Sequence, residues 1–280
     1  MAARRTGAFQ GFLTLQAATT WQDLLHPGDA TDFFLRRAFP AFDPTGHAHR
    51  PANALWLAEL SRLVYRHDTE EENPPPQPTR TRFLERVGFR QRQFFLSNET
   101  GTQAMLVEFG GSPPFAVLVF RGTEQNTRDY LTDLETGELS LVKGKKGVHA
   151  GFTEALDSVW HEIEAALAQL DCPVFYTGHS LGAALATLAA ARHAPSAVYT
   201  FGSPRVGNQA FIASLCNVPI YRIVDDEDIV TTVPSEALGF RHVGTELRLV
   251  APNQESFPTH FFDPPKPLAD HAPINYVDRI

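Results

Sequence analysis

The pentapeptide Gly178-His179-Ser180-Leu181-Gly182 constrains this chain more than any other stretch. It sits between a short apolar run, Val174-Phe175-Tyr176-Thr177, and an alanine-rich run from Leu181 to His193. A strand that turns into a helix within a residue or two is the reading of that sequence. Such a G-x-S-x-G turn puts the serine into a strained backbone conformation and lifts its hydroxyl clear of the sheet. The flanking glycines let neighbouring backbone come close. The helix that follows points its first amides at any charge developing beside Ser180. The pattern alone arises by chance in many chains, so its placement between a strand and a helix carries the weight.

The surrounding periodicity supplies that placement. Leu55, Trp56, Leu60, Leu63 and Val64 share one face of a helix expected at about 52–66. Strand-like runs follow at about 88–96, 102–109 and 115–120, with turn chemistry at Asn98-Glu99-Thr100-Gly101 and Gly110-Gly111-Ser112-Pro113. Phe152, Leu156, Val159, Trp160, Ile163, Leu167 and Leu170 form a helical stripe over about 152–170. Beyond the serine, strands at 197–201 and 219–224 enclose a helix at about 207–215. Strand and helix in alternation imply a mostly parallel sheet with helices on its faces, one α/β domain. The acidic and proline-rich stretch from Glu70 to Pro78 reads as an exposed loop and not as a domain boundary.

Composition narrows the function. With 24 Lys and Arg against 32 Asp and Glu, the net charge of −8 over 280 residues argues against a nucleic-acid binder. The one basic run, Lys143, Lys145 and Lys146 among glycines, reads as a solvated loop. No stretch approaches the roughly 18 apolar residues of a membrane-spanning helix. Phe9 to Leu15 is interrupted by polar residues and makes a poor signal-peptide core, so a cytoplasmic protein is expected, with leaderless export as the alternative. Cys172 and Cys216 do not make a disulfide framework, and their spacing does not say whether they pair. His47 and His49 lack further spaced ligands, so neither a metal nor a cofactor is expected.

A serine is a weak nucleophile and needs a base that is itself oriented by a carboxylate. On this architecture the acid follows a strand downstream of the serine, and the histidine comes last. Asp225, Asp226, Glu227 and Asp228 are the acidic candidates after the strand at 219–224, and Asp228 abuts Ile229 and Val230, where a carboxylate is partly desolvated and wants a partner. His242, His260 and His271 are the candidates for the base. His242 lies in a strand-like run, His260 among Phe257, Phe261 and Phe262, and His271 follows Asp270 in a loop near the end of the chain.

These motifs, taken in order, resemble the class 3 lipases. The resemblance covers the chain from about residue 52 and rests on Val119-Phe120-Arg121-Gly122-Thr123, Val148-His149-Ala150-Gly151-Phe152, Thr177 to Ala186, Tyr199 to Asn208, Asp228-Ile229-Val230 with Pro234, and Asp270-His271. It implies an α/β-hydrolase fold; residues 1–280 are expected to form one such domain, with 1–50, which match no motif, as an extension packed on it. It also implies Ser180 as nucleophile, Asp228 as acid and His271 as base, with Thr123 and the Leu181 amide forming the oxyanion hole. Such donors are worth about 10²–10³-fold in rate. His149 and His179 belong to the motifs but are not the base, and His179, next to the elbow, is expected to have a packing or hydrogen-bonding role.

In this family the segment after the oxyanion threonine carries a lid, which corresponds to residues 124–142 here. Asn126 caps an expected short helix, with Tyr130, Leu131 and Leu134 on one face and a strongly polar opposite face. The modest apolar area implies transient attachment at a lipid–water interface. The expected function is a serine-dependent carboxylic-ester hydrolase, a triacylglycerol lipase or esterase biased toward short or medium acyl chains. Phospholipase A1 or feruloyl-type esterase activity is one alternative, since one site serves many esters. A non-catalytic lipase-like binding protein is the other, although it would have no need of all three triad residues.

Overall fold

Apolar runs too short for a helix and flanked by turn residues become the strands of one twisted sheet. The computed structural model describes residues 19–123, 139–142, 146–250 and 263–280. Strands β1 (Phe89–Leu96), β2 (Gln103–Phe109) and β3 (Phe115–Phe120) pair antiparallel. The chain then makes a small hairpin of β4 (Leu139–Val142) and β5 (Lys146–His149) and returns through parallel strands β6 (Val174–His179), β7 (Ala197–Phe201), β8 (Ile220–Asp225) and β9 (Thr245–Leu249). The spatial order β1-β2-β3-β6-β7-β8-β9 puts β6, which leads into Ser180, at the centre of the seven.

The helices are α1 (Trp21–Leu25), α2 (Pro51–Leu63), α3 (Arg80–Arg86), α4 (Ala150–Leu167), α5 (Leu181–Arg192), α6 (Gln209–Ala213), α7 (Lys266–Ala269) and α8 (Pro273–Arg279). Side chains alternate across the sheet with period two, and both faces are covered. Leu118, Phe120, Tyr176 and Val198 point to the side packed by α4 and α5, through Leu156, Ile163 and Leu185. Val117, Val119, Phe175 and Tyr199 point to the side packed by α2, through Leu57, Leu60 and Leu63. Every residue of β3 and β7 is buried, which is why these strands read as continuous apolar runs instead of alternating ones.

The α/β-hydrolase architecture with a mostly parallel sheet and helices on both faces is the one expected. Four features differ from the reading of the sequence. Lys146, expected in a loop, opens β5, because Gly144 and Gly147 hide the strand alternation. The expected strand at Arg241-His242-Val243 is only an isolated bridge from Arg241 to Gly207, and the true strand begins at Thr245. Helices α3 and α8 were not expected, since the exposed positions of α3 are all charged and α8 is buried from Pro273 to Val277. Residues 139–142, expected within the lid-like segment, form β4, whereas Asn126, Tyr130, Leu131 and Leu134 lie outside the described residues. Among the described residues no helix is long and apolar enough to cross a membrane. Cys172 is partly buried and Cys216 exposed, and neither is in a disulfide.

Candidate active site

The turn after β6 has the strained geometry that the glycine spacing implies. Ser180 has φ 58° and ψ −126°, a left-handed conformation that a residue with a Cβ rarely adopts. Its amide donates to the Phe201 carbonyl at 3.0 Å, and its own carbonyl accepts from Ala183 at 3.0 Å, so the surroundings hold the strain in place. A Cβ on Gly178 would lie 2.3 Å from the Gly182 carbonyl, and one on Gly182 would lie 2.2 Å from the Phe120 carbonyl oxygen. The helix therefore docks against both its own strand and the neighbouring β3 only because both positions lack a side chain.

That docking also gathers the oxyanion candidates. The Cβ position of Gly182 is 3.0 Å from the Arg121 carbonyl carbon, and that of Gly122 is 2.7 Å from the His179 carbonyl oxygen. Thr123, the next residue, and Leu181, the first residue of α5, thus leave adjacent backbone segments beside Ser180. The Leu181 amide belongs to the first turn of α5, where amides have no intrahelical partner.

Asp228 and His271 meet on the other side. Asp228 follows β8 across a tight turn in which its amide donates to the Asp225 carbonyl at 2.8 Å. Its carboxylate is 1% exposed and accepts from Val230 N–H at 2.9 Å, from the Tyr276 hydroxyl at 2.5 Å, and from His271 Nδ1 at 2.9 Å to each oxygen. With Nδ1 donating to the carboxylate, the imidazole keeps Nε2 free as the basic nitrogen. His271 Nε2 makes no hydrogen bond among the described residues, and the Ser180 hydroxyl caps no amide of α5. Bonds of this kind commonly close only when substrate is in place. Gly202, at φ +59°, lies beneath both groups: a Cβ there would sit 2.7 Å from Asp228 Oδ2 and 3.0 Å from the His271 ring.

Charged residues behind the acid tie its turn to the turn that carries His271. Arg279 donates to both Asp225 and Asp270, Lys266 bonds Asp226 and Asp270 at 2.6 Å each, and the Glu227 amide donates to Asp270 at 3.1 Å. Burial pushes the Asp225 carboxyl up to about 6 against the opposing pull of Arg279. Burial, then the neighbouring Asp228 charge, holds the Tyr276 phenol well above its usual range, so it stays a donor. Reading the sequence missed Tyr276 and Arg279, and it placed Gly202 and Asp270 in motifs without giving either a role. The spacing of Lys266 and Asp270 at i, i+4 was a visible signal for their pairing.

The other candidates go elsewhere. Of the four acids, only Asp228 reaches His271. The His242 Nε2 donates to the Thr231 carbonyl at 2.8 Å, and burial followed by Arg222 lowers that ring to about 4. His260 lies outside the described residues. His149, 8% exposed, stacks on Phe152 at 4.3 Å, and neither ring nitrogen has a partner among the described residues. His47 approaches the Ser196 carbonyl at 3.1 Å while the His49 ring lies against Tyr199 and Tyr221, so the two histidines serve separate neighbours.

Comparison with known proteins places the chain in a family. The model of the family described as Lipase (class 3) matches residues 117–238. The secreted mono- and diacylglycerol lipase 1 of Fusarium solani is 40% identical over 138 residues, which are 44% of this chain and 41% of that protein, so the chain spans under half the length of that relative. The crystal structure of a lipase from Rhizopus microsporus var. chinensis superposes with a TM-score of 0.59 and 28% identity, covering 75% of this chain and 78% of the other. A triacylglycerol lipase structure whose catalytic centre is described as a serine protease triad is 31% identical, with a TM-score of 0.51, over 58% of this chain and 67% of the other. The Fusarium protein is secreted by name, which corrects the cytoplasmic location expected above. That expectation leaned on the polar interruptions near Phe9 to Leu15, which say little about export and lie outside the described residues. A strained serine on a strand-to-helix turn, a buried Asp228–His271 pair, the family match over residues 117–238 and 31% identity over two thirds of a solved triacylglycerol lipase have one common reading: the chain belongs to the class 3 lipase family.

Proposed function

We propose that this protein is a serine-dependent carboxylic-ester hydrolase acting on acylglycerol-type lipid esters, with Ser180 as nucleophile, His271 as general base and Asp228 as the orienting acid. The observation that carries the reading is the 2.9 Å contact of His271 Nδ1 with a buried Asp228, because it leaves Nε2 as the only proton acceptor the ring can offer. Ser180 Oγ attacks the ester carbonyl while Nε2 takes its proton. The amide of Leu181 and Thr123 stabilise the resulting oxyanion. The C–O bond to the alcohol then breaks, the alcohol leaves with the proton from Nε2, and an acyl-serine remains. Water, deprotonated by the same nitrogen, attacks the acyl-serine, and the acid departs as Ser180 regains its proton. In this reading residues 1–280 act as one catalytic unit, exported as the Fusarium relative is.

The test is a substrate panel for the full chain and for Ser180→Ala: a short-chain nitrophenyl ester, tributyrin, trioleoylglycerol and phosphatidylcholine. Wild type should cleave the first two fastest, and Ser180→Ala should lose activity by roughly 10³-fold or more on every substrate with an unchanged melting temperature. Faster cleavage of phosphatidylcholine would reassign the substrate to phospholipids. Undiminished turnover in Ser180→Ala would remove the nucleophile from the scheme.

A further inference from the structure

His179 stands next to the nucleophile but takes no part in the steps above. It is 3% exposed, and its two ring nitrogens face different partners. Nε2 lies 2.7 Å from the backbone carbonyl oxygen of His271. A carbonyl oxygen only accepts, so Nε2 must carry the hydrogen. Nδ1 then holds the lone pair and accepts from the Tyr65 hydroxyl at 3.1 Å. The ring centre of His271 is 4.5 Å away and that of Tyr276 5.9 Å. Burial, then the adjacent His271, holds protonation of His179 well below the usual histidine range, so the ring remains one neutral tautomer.

Two consequences follow from these contacts. The backbone of His271 is gripped on both sides, since its amide donates to the Leu268 carbonyl at 3.1 Å and its carbonyl accepts from His179. The Tyr65 hydroxyl also fills the space above Gly122, where a Cβ would lie 2.1 Å from it, so the same hydroxyl touches the strand end that leads to Thr123. One chain of contacts therefore links the oxyanion segment, the residue before the nucleophile and the turn that carries the base.

We infer that His179 is a positioning residue, a neutral Nε2–H donor that keeps the His271 ring in register with Ser180, and that Tyr65 selects its tautomer. The inference rests on the proposed hydrolase reading. When His271 becomes an imidazolium during acylation, a neutral His179 supports it without the like-charge repulsion that a second cation 4.5 Å away would bring. A residue that only filled space would place no demand on which nitrogen carries the hydrogen.

Steady-state kinetics of His179→Met, His179→Gln and Tyr65→Phe on a short-chain nitrophenyl ester test this, together with nitrogen-15 NMR of histidine-labelled wild-type protein. The His179→Met substitution should lower kcat roughly tenfold through loss of one hydrogen bond, with KM changed by less than about twofold. Glutamine, whose terminal N–H reaches about as far as Nε2, should recover most of that loss. The Tyr65→Phe change should lower kcat by about three- to tenfold. NMR should show His179 protonated at Nε2 alone and not titrating between about pH 8 and pH 5. A glutamine variant as impaired as the methionine variant, a change confined to KM, or a hydrogen on Nδ1 would each overturn the inference. Wild type inert toward every ester would instead sink the hydrolase reading, while the NMR experiment would still decide the tautomer. If His179→Met fails to fold, Tyr65→Phe and the wild-type spectrum carry the test.

Discussion

At the scale of single residues, the site depends on which atom each group can still offer after its structural bonds are made. Asp228 accepts from Val230 N–H, the Tyr276 hydroxyl and His271 Nδ1, and this saturated environment keeps its carboxylate facing the imidazole. Asp228→Asn preserves the shape but offers an amide where a carboxylate stood, which favours the wrong tautomer of His271. Its kcat should fall by about 10³–10⁴-fold with little change in melting temperature, measured on a soluble ester. A loss under about tenfold would show that the carboxylate does not govern the tautomer. Residue type and chain order pointed to Ser180 but left four acids and three histidines open, and it was the class 3 lipase resemblance that singled out Asp228 and His271 and proposed Thr123 with Leu181 as the oxyanion pair. The roles of Tyr65, Tyr276 and Gly202 were not legible, because nothing local distinguishes a tyrosine with a buried partner or a glycine squeezed between two side chains from any other. Their roles are set by contacts distant in sequence: Tyr276 with Asp228, 48 residues away, Tyr65 with His179, 114 away, and Gly202 with Asp228 and His271.

At the scale of elements, the strand–turn–helix around Ser180 was legible because three local signals agree there. The strand is apolar, the glycines have the required spacing, and the helix is rich in alanine. Each is explained by a contact: Gly178 against Gly182, Gly182 against Phe120, and the buried face of Ala183, Ala184 and Ala186 against the sheet. Strand β9 escaped notice for the opposite reason. It is an edge strand with an exposed or half-buried residue at each position, and its Glu246 and Arg248 side chains pair with each other, so its sequence looks like loop. Helix α8 buries Ile274, Asn275, Tyr276 and Val277 in succession because it is covered on several sides, which leaves no amphipathic stripe to read.

At the scale of the whole molecule, the turn bearing His271 is clamped from outside by the N-terminal segment. Leu24 packs on Ala272 and Ile274, Arg36 pairs with Asp278, and Arg37 donates to the Val277 carbonyl. Buried and half-buried histidines give this assembly a pH dependence whose sign is set by their direction of shift. His242, lowered from 6.5 to about 4, favours the folded state most when neutral, so its contribution is complete above pH 6.5 and is lost as pH falls toward 4. His149 and His179 shift in the same direction and add to that loss. Asp225, raised from 3.8 to about 6, acts in the opposite sense and favours folding as pH falls through 6. Denaturant unfolding at about pH 7.5 and pH 4.5 should show a loss of stability that is smaller in His242→Gln by on the order of 2–3 kcal/mol. An equal loss in both proteins would remove His242 from the account. The claim on which all three scales converge is that one hydroxyl is activated. It is tested most directly by treating the full chain with a fluorophosphonate and locating the adduct by peptide mass spectrometry. The account predicts a single adduct on Ser180, slowed by His271→Ala and absent from Ser180→Ala; an adduct on another residue, or none, would contradict it.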